Sequence, residues 1–580
     1  MTATPHNDAD YYVPVNRRIL VSVALALILF ISALDSTIVA VALPKIGSDF
    51  NDYQSTSWVV TAYIITYTAF LPIVSKLTDI IGRKYVLLAS TIFFMAFSGA
   101  CGGAKSLTEL IVFRALQGIG GSAIYSGVVV TISTMVPQES VAKYTSIIGT
   151  VFALSSVAGP LVGGAIVEHV HWGWIFFVNL PIGFVGALML QLFLTYPASQ
   201  AQIKLEDLRR RIDWVGSFLL LACAVLLALS LQIGGTPGYP WVSAKVLTPL
   251  AISVVLIPIF LWVETKHPEP ILPLRLFRSF SSDTSDCAPG TPSVPPSPNF
   301  NLMVIYTICL GAALYSTTVF LPQRLQIVDS LSPIGAGVKM LPILLPTGLL
   351  SPFAGATVML SGSYRPLMTI AAALGAIGAG LLSTINGGGG THTNFGRMYG
   401  YEVIEGVCIG VTITVSTIII QFSVDRKDLA TATGFQSFSR MLGGLIGIAI
   451  STAIVNVRVS SKLDAAAATS QIFANPSLRS GIMQGPTVVI PSLDPQSQDI
   501  VKAAYSSAYS LIFVVIAAWF AVGTVSTLGL KHIFPEKAVP AAEESGEEMV
   551  VRSKKDEENS SVLMEPKEDK SDRPESWVSS

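Results

Sequence analysis

An aspartate inside a long apolar run is the first residue in this chain placed to do chemistry. The run reads Leu34-Asp35-Ser36-Thr37-Ile38-Val39-Ala40-Val41-Ala42-Leu43-Pro44. A carboxylate within a membrane helix costs about 2.5–3.5 kcal/mol unless it is paired, hydrated or protonated. Asp35 is therefore expected to face a cavity, where it can take up and release a proton. A fixed hydrogen bond to a neighbouring helix is the plainer alternative. Arg114 lies several residues inside another apolar run, in Arg114-Ala115-Leu116-Gln117-Gly118-Ile119-Gly120-Gly121-Ser122. It needs an acceptor there, or it must snorkel to the nearer, outer interface. Gly118 and the glycines after it would let another backbone come close. Glu402 and Glu405, in Tyr399-Gly400-Tyr401-Glu402-Val403-Ile404-Glu405, open a later apolar run. The expectation for this pair is a wetted position at the outer interface; Glu405 within the membrane would instead be a second proton site.

Two further patterns concern movement. Ser75-Lys76-Leu77-Thr78-Asp79-Ile80-Ile81-Gly82-Arg83-Lys84-Tyr85-Val86-Leu87 links two runs. Gly82 permits a tight reversal, and Asp79 and Arg83 can pair with each other or with nearby helix ends. Gly159-Pro160-Leu161-Val162-Gly163-Gly164 lies inside another run. Pro160 removes a backbone donor, and Gly159 and Gly163 form a small-residue packing face. This suits a helix that bends or slides, or else a static close contact.

Other polar residues carry less. Arg440, in Phe438-Ser439-Arg440-Met441-Leu442-Gly443-Gly444, reads as a structural residue near the inner surface. Glu168, His169 and His171 read as an exposed outer rim, and Trp172, Trp174 and Trp241 as interfacial anchors. The cysteines at 101, 223, 287, 309 and 408 show no metal-ligand spacing, and four of them sit in apolar runs. Neither a zinc site nor a disulfide framework is expected. No catalytic cluster stands out, so no enzyme is expected. A Gly-x-x-x-x-Gly-Lys-Ser/Thr phosphate loop is lacking, so ATP is not the expected driver.

The elements that must position these residues are membrane helices. The chain of 580 residues is 51% hydrophobic and 13% charged, against about 25% charged in a soluble domain. A net charge of −1 gives no case for nucleic-acid binding. Crossing the bilayer core takes roughly 20 apolar residues in a helix. Such runs fall near 19–43, 57–75, 85–104, 108–135, 145–167, 174–195, 213–233, 243–263, 301–321, 336–358, 366–385, 399–421, 432–456 and 508–530. The first is too long for a signal-peptide core and is expected to remain as a helix. Cations favour one set of loops: Arg17 and Arg18, Arg83 and Lys84, Lys143, Lys204 with Arg209 to Arg211, Lys266, Arg275 and Arg278, Arg365, Arg426 and Lys427. Lys45, Lys105 and Arg324 fall in the other set. The positive-inside bias thus puts both termini in the cytosol.

The domain reading follows: a cytosolic N-terminus (1–18), a six-helix bundle (19–195), two linker helices (196–265) and a cytosolic Pro/Ser-rich linker (266–300). A second six-helix bundle (301–532) with a polar outer loop (458–507) comes next, then a charged cytosolic tail (533–580) of disordered composition.

The four patterns around Asp35, Gly82, Arg114 and Gly159, in this order, resemble the major facilitator superfamily, and the first resembles its 14-helix drug:proton antiporter branch. The resemblance covers about 1–535. There are departures: Ser75 stands where the family usually has Gly, Ile80 where it has Arg, and Ala40 where it has Asn. The resemblance implies an all-α fold of two six-helix bundles of inverted repeats around a central cavity, with the two extra helices between them. It implies a monomer that moves small organic molecules (drugs, toxins or secondary metabolites) outward in exchange for protons, with no cofactor. Asp35 and Arg114 match positions given proton-coupling roles. Asp79, Gly82, Arg83, Gly118, Gly159, Pro160, Gly163 and Gly164 match the conformational signatures. The branch looks fungal, and the plasma membrane is the expected address, with the vacuolar membrane as alternative. Two other readings stand beside export: a proton-coupled importer or vacuolar carrier of basic amino acids or iron chelates, and a membrane sensor that does not transport.

Overall fold

The computed structural model describes residues 15–53, 55–135, 138–194, 213–234, 239–267, 277, 298–385, 393–424, 429–468 and 471–531. Most of the Pro/Ser linker, the tail from 533 and the side chain of Asp79 lie outside them. The helices of the first bundle are α1 (Val15–Asp49), α2 (Ser57–Ile81), α3 (Arg83–Gly102), α4 (Leu107–Met135), α5 (Gln138–His169), and α6 (Trp174–Phe177) with α7 (Asn179–Phe193), which together make one span. A hairpin follows, α8 (Trp214–Ile233) and α9 (Ala244–Glu264). The second bundle holds α10 (Asn299–Ile327), the short α11 (Pro333–Lys339), α12 (Leu341–Ser361), α13 (Arg365–Leu382), α14 (Phe395–Phe422), α15 (Leu429–Ala467), the short α16 (Pro476–Gln484) and α17 (Pro486–Val489), and α18 (Pro495–Leu528). Thirteen helical stretches among the described residues are long and apolar enough to cross a membrane, and α2 adds the apolar stretch Ser57–Leu71. Helices are the expected solution, because lipid leaves no partner for an open backbone amide.

Packing makes the internal repeat visible. In the first bundle α1 meets α5 and α7, α2 meets α4, and α3 meets α4 and α7. In the second, α10 meets α15 and α18, α12 meets α14, and α13 meets α14 and α18. Counted by span, the pairings are the same: first with fifth and sixth, second with fourth, third with fourth and sixth. The bundles touch through α5 against α11 and α12, α2 against α15, and α1 against α10. The hairpin helix α8 packs against both α2 and α15.

Helix ends decide several depths that the apolar runs alone misjudge. Asn394 accepts a hydrogen bond from Arg397 N at 3.2 Å and starts α14 before its apolar run begins. Glu405 thus stands ten residues into the helix, about 15 Å along its axis. Likewise α10 runs on to Ile327 through Pro322, which carries Arg324 out of the expected outer loop and into a helix. The expected polar loop 458–507 is largely helical: α15 continues to Ala467, α16 and α17 follow, and Asp494 caps α18 by accepting from Ser497 N at 3.0 Å. This segment lies over the first bundle, where Tyr53 N donates to Gln484 O at 2.6 Å. Trp172 is 2% exposed and packs against Phe50 and Phe176, so it is a core residue and not an interfacial anchor. Trp174 and Trp241 are exposed, as are Glu168, His169 and His171.

The glycine motifs are where backbones meet. Gly82 alone separates α2 from α3, and its φ of 108° is one that side chains with a Cβ rarely adopt. Arg83 and Lys84 open α3, and Lys84 Nζ donates to Gln191 O at 2.8 Å. Gly118 lies against the Tyr63 carbonyl of α2, and Gly159 against Thr37 of α1. Gly163 faces Ile38. Gly164 faces the other bundle, where a Cβ would meet Ile334 Cα at 2.8 Å, and the Pro160 carbonyl lies against Gly337. The Gly-Pro motif is therefore wedged between α1 and the second bundle, on the outer half of α5.

We predict that Gly164→Leu forces this outer seam apart. Cells expressing the variant should show faster labelling of a cysteine placed at Gln326 by an impermeant maleimide. Labelling at the parent rate would mean that the seam does not hold the outer side shut.

Candidate functional site

The two charges singled out by sequence meet. Arg114 of α4 forms an ion pair with Asp35 of α1 through Nη1 and Oδ2. Both side chains are at most 1% exposed. A lone buried charge in lipid would be expensive, so each makes the other tolerable. Arg114 does not snorkel to the interface. Its Nε donates to Val59 O at 3.0 Å, and its guanidinium sits 4.2 Å from the centroid of the Tyr63 ring.

Two amides complete the cluster. Arg114 Nη1 donates to Gln117 Oε1 at 2.8 Å, while Gln117 Nε2 donates to Asp35 Oδ1 at 3.0 Å. Asn179 Nδ2, at the start of α7, donates to the same carboxylate oxygen at 3.3 Å and to Ser98 Oγ at 3.0 Å. Ser98 in turn donates to Phe176 O at 2.8 Å. Asp35 thus receives donors from α4 and α7, and the network extends to α3. Sequence reading passed over Gln117, Asn179, Ser98 and Tyr63. Gln117 had a visible signal, since it follows Arg114 by three and so shares its helix face. Asn179 and Ser98 had none beyond being polar in apolar spans.

The second bundle pairs the equivalent helices, its first and fourth. Thr317 Oγ1 of α10 donates to Glu405 Oε1 of α14 at 2.7 Å. Glu402 and Glu405 are both fully buried, which overturns the wetted outer-interface expectation. Glu405 Oε2 and both oxygens of Glu402 have no hydrogen-bond partner among the described residues. Toward the outer end, Arg324 Nη1 pairs with Asp329 Oδ2 at 3.1 Å, and Thr393 bridges the two. Burial pushes the Asp329 carboxyl above its ordinary range, against the opposing pull of Arg324. Arg324 is 1% exposed, not a loop cation.

Between the bundles lies a narrow cavity of about 20 Å³. Ser32, Ala33 and Ser36 of α1, Tyr63 and Tyr67 of α2, Arg114, Tyr125, Tyr315 and Met441 are among its lining residues. That volume admits a water molecule but no organic cargo. At the end expected to face outward the bundles are held together: Tyr53 OH donates to Gln323 Oε1 at 3.0 Å, and Gln326 Nε2 to Val41 O at 3.1 Å. Arg440, expected near the inner surface, is buried eleven residues into α15 and set against Tyr125, Tyr315 and Tyr67.

Two repeated six-helix bundles, joined by a hairpin and closed over a central cavity with a buried ion pair at its wall, define a multi-pass membrane transporter. Residues 25–448 match the Major Facilitator Superfamily, and the chain belongs to that family. It is 33% identical over 542 residues to the MFS-type transporter FPY5 of Fusarium mangiferae, covering 90% of this chain and 85% of that protein. It is 30% identical over 526 residues to the MFS-type efflux pump MFS1 of Arthroderma benhamiae, covering 89% of this chain and 92% of the pump. Among solved structures it resembles a bacterial homologue of the human lysosomal transporter Spinster in an inward-facing, unoccupied conformation. That likeness has a TM-score of 0.59 at 16% identity, covers 90% of this chain and 100% of the other, and shows the shared fold.

We predict that Gln117→Leu strands both charges of the ion pair without their amide bridge. The purified variant should lose about 1–3 kcal/mol of stability in detergent, the cost of a buried hydrogen bond left unmade. An unaltered melting profile would show that the Asp35–Arg114 pair needs no third partner.

Proposed function

We propose that this protein exports small organic molecules across the plasma membrane, as a monomer, by exchanging them for protons. The observation that carries this reading is the buried Asp35–Arg114 pair beside the central cavity. Arg114 lines the cavity, as does Ser36, the neighbour of Asp35. A proton reaching Asp35 removes the charge that holds Arg114. The guanidinium then keeps Gln117 and the Val59 carbonyl, but loses its ion-pair partner. Because Asp35 and Arg114 sit on α1 and α4, protonation loosens the join between these helices. On the next residues of α1, Thr37 and Ile38 touch the glycines of α5, whose other side holds the second bundle. A change at Asp35 is in this way passed to the seam that closes the outer side.

Glu405 supplies a second proton site in the same reading. It has one oxygen held by Thr317 and one without a partner, so a proton can be added without breaking a bond. The proton gradient is the energy source and no cofactor takes part. One elementary charge moving through 100 mV releases about 2.3 kcal/mol, enough to hold a neutral cargo roughly fifty-fold out of balance. The direction is supported by the relative named as an efflux pump, which spans nearly the whole chain.

The test is retention of fluorescent drugs and metabolites in cells lacking or overproducing the protein, with and without a protonophore. Overproduction should lower retention, and the protonophore should restore it. Higher accumulation in the overproducer would make the protein an importer. We further predict that Asp35→Asn, which keeps the side-chain shape and removes its titration, abolishes uphill export while delivery to the membrane continues. Export at the parent rate would remove Asp35 from the coupling. Glu405→Gln should lower export in the same assay, and no change would confine coupling to the first bundle.

A further inference from the structure

Three arginines lie deep in the helices, and they are not treated alike. Arg114 has Asp35 and Arg324 has Asp329. Arg440, nine-tenths buried, has no carboxylate within ion-pair distance among the described residues. What surrounds it is hydroxyl: Tyr125 of α4, Tyr315 of α10 and Tyr67 of α2. An ionised side chain within a membrane bundle is costly enough that a partner or a function is expected for it. Arg440 also has little freedom to withdraw. Its backbone is pressed onto α10, where its carbonyl lies against Gly311 and a Cβ at Gly311 would meet its Cα at 3.0 Å. One helical turn on, Gly443 lies against the Ile308 carbonyl. The crossing of α10 and α15 therefore pins the Arg440 backbone, one residue from Met441 of the cavity wall.

All three tyrosines line the central cavity, as does Met441, the next residue after Arg440. One bond joins the bundles, Ser437 Oγ donating to Tyr125 OH at 3.0 Å, while within the second bundle Tyr315 OH donates to Met441 Sδ at 3.0 Å. The rings of Tyr67 and Tyr125 lie 6.5 Å apart, with Phe152 6.1 Å beyond Tyr125. Among the described lining residues there is no acidic side chain and one charged member, Arg114, which is already paired with Asp35. A cationic cargo would meet repulsion there. A carboxylate would find a guanidinium able to donate two parallel hydrogen bonds, phenolic hydroxyls able to donate more, and aromatic walls for its apolar part.

We propose that Arg440, with Tyr125 and Tyr315, selects organic anions, chiefly carboxylates attached to an aromatic or apolar body, as the cargo of the central cavity. The assignment rests on the export reading and gives it a substrate class. The cavity in this closed arrangement is too small for such a cargo, so binding accompanies separation of the bundles. Its recognising groups come from both: Tyr67 and Tyr125 from the first, Tyr315 and Arg440 from the second. An anion held between them would tie the bundles together, so cargo would itself bias the change of state.

The test uses inside-out membrane vesicles and a matched fluorescent pair, dansylglycine (a carboxylate) and dansylglycinamide (neutral), with vesicles lacking the protein correcting for passive entry. The protein should take up the carboxylate in preference to the amide. Arg440→Gln should lower carboxylate uptake about tenfold or more, the loss expected for a buried hydrogen bond to a charged group, and leave amide uptake within about twofold. Arg440→Lys should restore part of the carboxylate uptake, which a merely structural arginine would not require. Equal loss of both probes in Arg440→Gln, or no change in either, overturns the proposal. Uptake of the amide but not the carboxylate by the unaltered protein overturns anion selection and leaves export standing. If neither probe is taken up, the purified protein in detergent decides through dansyl fluorescence. Tighter binding of the carboxylate, weakened in Arg440→Gln, sustains the recognition site and puts the failure in the export reading. Absence of that preference sinks the proposal itself.

Discussion

A buried carboxylate and a buried guanidinium in lipid must find each other, and the first bundle is organised around that requirement. The side chains of Asp35 and Arg114 are both at most 1% exposed. Their charge is matched across the contact of α1 with α4, and the leftover hydrogen-bonding capacity is taken up by Gln117, Asn179 and the Val59 carbonyl. Partners from three helices on one carboxylate and one guanidinium hold a preferred geometry, because each bond lost would leave a buried polar group unpaired. Loss of a single member therefore shifts the balance of the whole arrangement.

The second constraint is how closely backbones approach. Helices in lipid gain no hydrophobic drive from meeting one another, so small residues set where they touch. Gly118 brings α4 onto α2 beside the ion pair, and Gly159 and Gly163 bring α5 onto α1 just past Asp35. Gly164 and Gly337 continue the same seam into the second bundle. The two faces of α5 serve the two contacts, Gly159 and Gly163 toward α1 and Gly164 toward the second bundle, while α1 itself reaches the second bundle at Val41. The buried ion pair thus lies on the same helix as one of the contacts between the bundles.

The two halves use the same pairing of helices with different chemistry. In the first, an acid on the first helix meets a cation on the fourth; in the second, a hydroxyl on the first helix meets an acid on the fourth. At this pairing the repeat preserves the helices that meet and not the residue types. The cations differ as well. Arg114 is neutralised within its own bundle, whereas Arg440 is left to face hydroxyls contributed by both.

The sequence by itself determined the solvent, the element type and the count. Fourteen apolar runs of membrane length leave helices as the only open-chain solution, and thirteen helices of that length, with the shorter apolar stretch of α2, are found among the described residues. It also marked Asp35 and Arg114, because a charge in an apolar run stands out whatever the fold. What it could not decide was depth and partnership. Glu405 read as an interface residue because the apolar run starts after the helix does, and only the Asn394 cap sets the true beginning. Arg324 and Trp172 were misplaced for the same reason: helical bonding continues past the hydrophobic stretch, or folds a loop inward. Runs that are apolar all round carry no periodic signal of which face looks inward. That Asp35 would meet Arg114, that Asn179 would join them from a helix 144 positions along the chain, and that Arg440 would meet no carboxylate among the described residues were settled by the packing of helices alone.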